Sequence, residues 1–139
     1  MKPLQRHLLR GLACLVATLT AIAVCGCGSQ GLYSAGGKVV YKDGKPVTGG
    51  RVIFEPITNK VSALGYIQED GSFRLSTNRE NDGAPEGDYK VLVLPPPTPE
   101  EGKKTRLLIA AKYQSLDMTP FKFTVTKDSA KNKFTLEVE

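Results

Sequence analysis

The sequence predicts an all-β body, a seven-stranded β-sandwich of two sheets, placed after an N-terminal signal segment. Three observations carry this expectation. From Lys38 to Glu139, short alternations of apolar and polar residues recur between Gly, Pro and Asp, and no stretch holds the 3.6-residue period of a dominant helix. Gly11 to Val24 form an uncharged run of fourteen residues behind the cations Lys2, Arg6 and Arg10, the layout of an export signal. All three cysteines (Cys14, Cys25, Cys27) and the single histidine, His7, fall within the first 27 residues, so the body holds neither thiol nor imidazole. A chain of 139 residues has room for one compact domain and an extension.

The elements follow in order. A membrane-spanning helix needs about 20 mostly apolar residues, whereas here the apolar character collapses at Gly26-Cys27-Gly28-Ser29-Gln30. Residues 1–26 are therefore expected to be a signal peptide that is cut away. Its loss removes Lys2, Arg6 and Arg10 and no acid, so most of the formal charge of +5 belongs to the leader. Residues 27–37, CGSQGLYSAGG, are rich in Gly and Ser and are expected to form a flexible tether. The body is expected to occupy residues 38–139.

The first strand is expected over Lys38 to Lys42, with Val39 and Tyr41 on one face, before a turn at Asp43-Gly44, where glycine readily takes a positive φ and Asp caps its own turn. The second covers Gly50 to Glu55, with Val52 and Phe54 together, and is limited by Pro56. A third spans Val61 to Ile67, where both faces carry apolar residues and the orientation stays open. Asp70-Gly71 then turns the chain into Ser72 to Ser76, with Phe73 and Leu75 inward. Pro85-Glu86-Gly87-Asp88 introduces Tyr89, Val91 and Val93 before Pro95-Pro96-Pro97 stops the sheet. The last two strands alternate most clearly: Phe121, Phe123 and Val125, then Phe134, Leu136 and Val138. An isolated ribbon of this pattern is marginal in water, so its oily faces call for a second sheet.

Composition excludes several kinds of chemistry. Zinc, haem and iron–sulfur sites of the usual ligand types, and triads built on His or Cys, lack their residues in the body. Glu80, Asp82, Glu86 and Asp88 cluster locally but not at EF-hand spacing, so solvated loop charge competes with weak Ca²⁺ binding. No serine lies in a G-x-S-x-G elbow, and neither Asp-Gly turn has the frame of a phosphate loop. The lysines are scattered singly or as the pair Lys103-Lys104, which gives no footprint for nucleic acid. No cofactor, no metal and no catalytic residue are expected. Pro95 to Pro99 favour a short polyproline II spacer, and the excursion from Glu100 to Pro120 carries enough apolar residues to cover an edge of the sandwich.

Val24-Cys25-Gly26-Cys27 resembles the lipobox of bacterial lipoproteins, with an aliphatic residue three places before the modified cysteine and a small one immediately before it. Cys27 fits that pattern better than Cys25, which follows the bulkier Val24. The resemblance implies diacylglycerol on the Cys27 sulfur, removal of the leader and acylation of the new amino group. At about 0.8 kcal/mol per buried CH₂, one fourteen-carbon chain holds a protein marginally, and two or three hold it firmly.

Gly37-Lys38-Val39-Val40-Tyr41, Asp43-Gly44-Lys45-Pro46-Val47, Gly49 to Phe54, Glu69 to Leu75, Pro85 to Val91 and Asn132 to Leu136 together resemble the carboxypeptidase regulatory-like, or transthyretin-like (prealbumin-like), β-sandwich domains. Small secreted lipoproteins of planctomycete-like bacteria are similar throughout. Ile109-Ala110-Ala111-Lys112-Tyr113 resembles an Ile-Pro-x-Lys-Tyr motif of these relatives, with Ala110 in place of proline. A transthyretin relative that hydrolyses hydroxyisourate uses histidines, an arginine and a C-terminal Tyr-Arg-Gly-Ser motif. This chain has no histidine after His7 and ends Thr135-Leu136-Glu137-Val138-Glu139, so the likeness fails at that chemistry.

The expected function is that of a noncatalytic lipoprotein, anchored to membrane lipid through acylated Cys27 on the extracytoplasmic side of the cell envelope. Gly28 after Cys27 lacks the aspartate that the family associates with inner-membrane retention, which favours the outer membrane. Its role is expected to be a structural or protein-binding accessory to a cell-envelope partner, with Lys103, Lys104, Lys112 and Tyr113 as the contact surface. The alternative is a small-ligand or carbohydrate-binding module using Tyr66 or Tyr113 as an aromatic platform.

Overall fold

A computed structural model describes residues 31–58, 60–96 and 109–139. These residues form an all-β architecture of nine strands in three sheets. The strands are β1 (Leu32–Tyr33), β2 (Gly36–Tyr41), β3 (Arg51–Pro56), β4 (Ala63–Tyr66), β5 (Ser72–Arg74), β6 (Ala84–Pro85), β7 (Gly87–Leu94), β8 (Lys122–Val125) and β9 (Lys133–Val138). A four-stranded sheet runs in the order β4-β3-β7-β8, a three-stranded sheet in the order β5-β2-β9, and β1 pairs with β6 alone.

The alternation in sequence becomes an alternation in burial. On β3, Val52 and Phe54 are buried; on β7, Tyr89, Val91 and Val93; on β9, Phe134, Leu136 and Val138. These inward faces meet across the two larger sheets. Phe54 of β3 lies with its ring centroid 6.2 Å from Phe73 of β5 and 5.4 Å from Phe134 of β9, and Phe123 of β8 lies 4.9 Å from Phe134. Tilted aromatic pairs at such separations contribute about 0.5–1.5 kcal/mol each beyond the area they bury. The arrangement is sandwich-like.

Several expectations change. Leu32 to Gly37, assigned to the tether, lie in or beside strands: Leu32 and Tyr33 pair with Pro85 and Ala84, and β2 starts at Gly36. Such a short ribbon carries no hydrophobic period to detect; it exists because β6 brings its partner alongside. A third, two-stranded sheet therefore accompanies the two expected ones. The Asp43-Gly44 turn does form, with Gly44 N–H donating to Tyr41 O and Tyr41 N–H to Lys45 O, but it does not join β2 to β3. After Val47, whose N–H donates to Val39 O, the chain crosses to the opposite sheet. The Asp70-Gly71 turn likewise leads from the four-stranded sheet at β4 into the three-stranded sheet at β5. A bridge between Leu64 and Ser76 stitches that seam.

β2 lies at the centre of its sheet, antiparallel to β5 and parallel to β9. Gly37 permits this: a Cβ built there would lie 1.8 Å from the Phe134 carbonyl oxygen, so only glycine lets β2 approach β9 so closely. Gly50 opens β3 at φ +94°, a left-handed conformation open to glycine at little cost.

Two polar residues are buried among the described residues, Thr119 and Asn132, and both are fully engaged. The Thr119 hydroxyl donates to Val91 O at 2.6 Å. Asn132 ties the β8–β9 connection to the start of β2. Its Nδ2 donates to Thr126 O at 2.8 Å and to Ser34 O at 3.2 Å, its Oδ1 accepts from Thr126 N–H at 2.9 Å, and its carbonyl accepts from Gly36 N–H. The Tyr89 hydroxyl donates to Pro85 O at 2.8 Å and fixes the β6–β7 corner, and burial raises its pKa.

Candidate functional site

Of the expected site residues, Cys27, Lys103 and Lys104 lie outside the described residues. Lys112 and Tyr113 fall in a 3₁₀ turn, Ala111–Gln114. Tyr113 is not a surface platform. It is only 4% exposed, and its ring stacks on Phe121 at 5.2 Å, closing the core over β7 and β8. Lys112 lies 4.9 Å above the Tyr113 ring and pairs with the Glu139 carboxylate, which also pairs with Lys42 at the end of β2. Lys112 first, and then Lys42, hold the Glu139 carboxyl at a pKa of about 2, against an ordinary 4.5. These two residues thus belong to a latch between the turn, β2 and β9. Ala110 has φ −57° and ψ 142°, a conformation proline also takes, yet its N–H donates to Glu139 O at 3.0 Å, a bond proline lacks.

The acidic cluster disperses. Asp82 accepts the N–H groups of Thr77, Asn78 and Arg79 and organises the β5–β6 loop. Desolvation would raise its pKa, but those three donors outweigh it and lower the value. Asp88 accepts from the Thr124 hydroxyl, and Glu86 faces Lys127 at 3.8 Å. Among the described residues, no group of three or more acids, cysteines or histidines converges to hold a metal ion.

A concave surface lies over the Gly36 end of β2. Strand register puts Arg74 of β5 and Lys133 of β9 opposite Gly36 on either side of β2, with Ser72 and Thr135 likewise flanking Lys38. Lys38, Arg74, Lys133 and Thr135 are exposed, pointing away from the core. Over the side-chain-free backbone of Gly36 and Gly37 sits a depression of about 560 Å³, walled by Lys38, Arg74, Lys133, Thr135, Ser34 and Ser129.

A second depression, about 310 Å³, adjoins it at the β4–β5 seam and shares Ser72, Phe73 and Arg74. Its other walls are Tyr66, Gln68, Ser76, Glu80 and Asn81. Tyr66 is 65% exposed there, so the aromatic available for contact is Tyr66 and not Tyr113. Together the two hollows offer an aromatic face, amide and hydroxyl groups, and a guanidinium between them. That set suits hydrogen bonding and stacking on a polar ligand.

Tyr66 was visible in the sequence as a platform candidate. Lys38, Arg74 and Lys133 were not, because they are far apart along the chain and only register brings them to one face. The available signal was each residue's place on the polar side of its alternating strand. Comparison of the chain with family models, with curated proteins and with solved structures gave no match.

Proposed function

We propose that the chain is the noncatalytic binding module of an exported bacterial lipoprotein, built on a transthyretin-like sandwich and held on the extracytoplasmic side of the cell envelope by acyl chains on Cys27. The signal-like leader, the lipobox and the absence of histidine and cysteine downstream of Cys27 support this. The observation that carries the binding role is the pair of adjoining hollows that share Arg74, one of them with Tyr66 in its wall. The ligand class they suit is a small polar molecule or a saccharide, whose apolar ring face stacks on Tyr66 while Gln68, Asn81 and Arg74 take its hydroxyls.

A second role, a structural or protein-binding accessory, draws support from exposed apolar side chains: Ile57 and Val61 beside the β3–β4 loop, and Leu116 and Met118 before β8. Solvent-facing residues of this kind suit contact with a neighbouring envelope protein.

The test has two arms. Membrane fractionation of a diderm bacterial host with mass spectrometry of the N-terminus is expected to find Cys27 acylated and the Cys27→Ser form in the soluble fraction; an unmodified, soluble, full-length product defeats the anchor. Titration with neutral oligosaccharides is expected to show binding that Tyr66→Ala weakens. If no saccharide binds and native crosslinking instead captures a protein at the β3–β4 loop, the accessory role takes its place.

A further inference from the structure

We propose that the outer face of the three-stranded sheet binds the oxyanion group of a small soluble ligand, a carboxylate, sulfate or phosphate, between Lys38, Arg74 and Lys133. This deepens the binding-module role and rests on it. The geometry is set by backbone register. Neighbouring strands lie about 4.8 Å apart and residues advance about 3.3 Å along a strand, so Arg74 and Lys133 start about 10 Å apart across Gly36, and Lys38 starts about 7 Å along β2. All three side chains are long enough to reach one point above Gly36. Gly36 itself is held against β5, where a Cβ would meet the Phe73 carbonyl oxygen at 2.4 Å, so no β2 side chain competes for that point.

Charge gives the selectivity. Three cations and no carboxylate line the 560 Å³ depression. Among the described residues the ion pairs engage Lys42, Lys45, Lys112, Lys127 and Lys131, and none engages Lys38, Arg74 or Lys133. The nearby acids stand outside the hollow: Asp70, which also feels the charge of Lys38, accepts the N–H and hydroxyl of Ser72, Glu80 walls the adjoining hollow that shares Arg74, and Glu137 lies one row further along β9, opposite Val40. A planar guanidinium with two ammonium groups is the donor set that grips a tetrahedral or planar oxyanion, because charge-assisted hydrogen bonds are roughly twice as strong as neutral ones. The Thr135 hydroxyl, in the same row as Lys38, adds a neutral donor. Concavity favours a small ligand over a flat membrane, which recruits runs of lysine and arginine.

The experiment is an amide ¹⁵N NMR titration of the full chain in an uncharged polyoxyethylene detergent, with inorganic phosphate, sulfate or acetate against chloride at matched ionic strength. Saturable shifts at Gly36, Gly37, Arg74 and Lys133 are expected with at least one oxyanion. Arg74→Gln and Lys133→Gln are each expected to weaken it about tenfold, the loss of one charge-assisted contact, while Lys127→Gln, which removes the same charge elsewhere, leaves it unchanged. Shifts that never saturate, that spread over all the lysines, or that fall equally in Lys127→Gln overturn the proposal. Cosedimentation with phosphatidylglycerol vesicles that Arg74→Gln abolishes, without any response to soluble oxyanions, assigns the face to a membrane and also overturns it. Neutral saccharide binding that survives while every oxyanion fails sinks this site alone; oxyanion binding with no saccharide response leaves this site standing and removes the saccharide from the broader role.

Discussion

Asn132 offers the sharpest test of how this body is held together. The residue is 1% exposed, and its side-chain amide serves Thr126 N–H, Thr126 O and Ser34 O at once. Replacement by Ala strands three polar groups, each costing about 1–3 kcal/mol when left without a partner. With partial relief from entering water, the expected loss is about 3 kcal/mol, a large share of the roughly 5–15 kcal/mol that stabilises a domain. Asn132→Asp keeps the shape and reverses the chemistry, since a carboxylate oxygen then faces the carbonyls of Thr126 and Ser34. Burial and those carbonyls raise its folded-state pKa above the ordinary value of about 3.9. The folded state then holds the proton more tightly than the unfolded one, so stability falls as pH rises from about 4 toward the raised pKa. Urea unfolding followed by far-UV circular dichroism, suited to a chain without Trp, at pH 4 and pH 7 measures this. Asn132→Asp is expected to lie close to wild type at pH 4 and to fall to or below Asn132→Ala at pH 7. A pH-independent Asn132→Asp, or an Asn132→Ala within about 0.5 kcal/mol of wild type, the range of an ordinary surface change, refutes the bridging role.

Further outcomes follow from the same contacts. Phe54→Ala, at a fully buried ring meeting Phe73, Tyr89, Phe123 and Phe134, is expected to cost about 3–5 kcal/mol in urea unfolding, and more than Phe123→Ala at its partly buried neighbour. Gly37→Ala is expected to destabilise the chain and to lose hydrogen-exchange protection first along β2 and β9, because its methyl group meets the Phe134 carbonyl. Glu139, with its pKa depressed to about 2, contributes stability that is present above its ordinary 4.5 and is lost as pH falls through about 2. Glu139→Gln is expected to remove that part of the acid dependence in pH-resolved thermal melts, and salt is expected to weaken it in the wild type.

The strands β2, β3, β5 and β7 to β9 were legible because each has one face in oil and one in water, and a two-residue period records that division directly; β4 was legible in its place but not in its orientation, because its segment is apolar on both faces. Val52 with Phe54, Phe73 with Leu75, and Phe134 with Leu136 and Val138 all point inward as expected. The β1–β6 ribbon was not legible, since two residues per strand carry no period. Tyr113 misled for a related reason: within an irregular excursion nothing periodic says which way a ring faces, and its burial depends on Phe121, just before β8, arriving beneath it. The polar hollows were hidden by distance along the chain, with Tyr66, Arg74 and Lys133 on three different strands.

By itself the sequence determined what is local: which residues alternate, where Asp-Gly turns reverse the chain, and which chemistry the missing histidines and cysteines exclude from the body. Only the tertiary structure decided which strands pair, that β2 lies parallel to β9, that the chain changes sheets beyond Val47 and at the Asp70-Gly71 turn, and that three separated cations share one face. The physical reason is that alternation describes a strand's two faces, whereas its neighbours are chosen along its edges, by hydrogen bonds and close approaches such as that of Gly37 to Phe134, between residues remote in sequence.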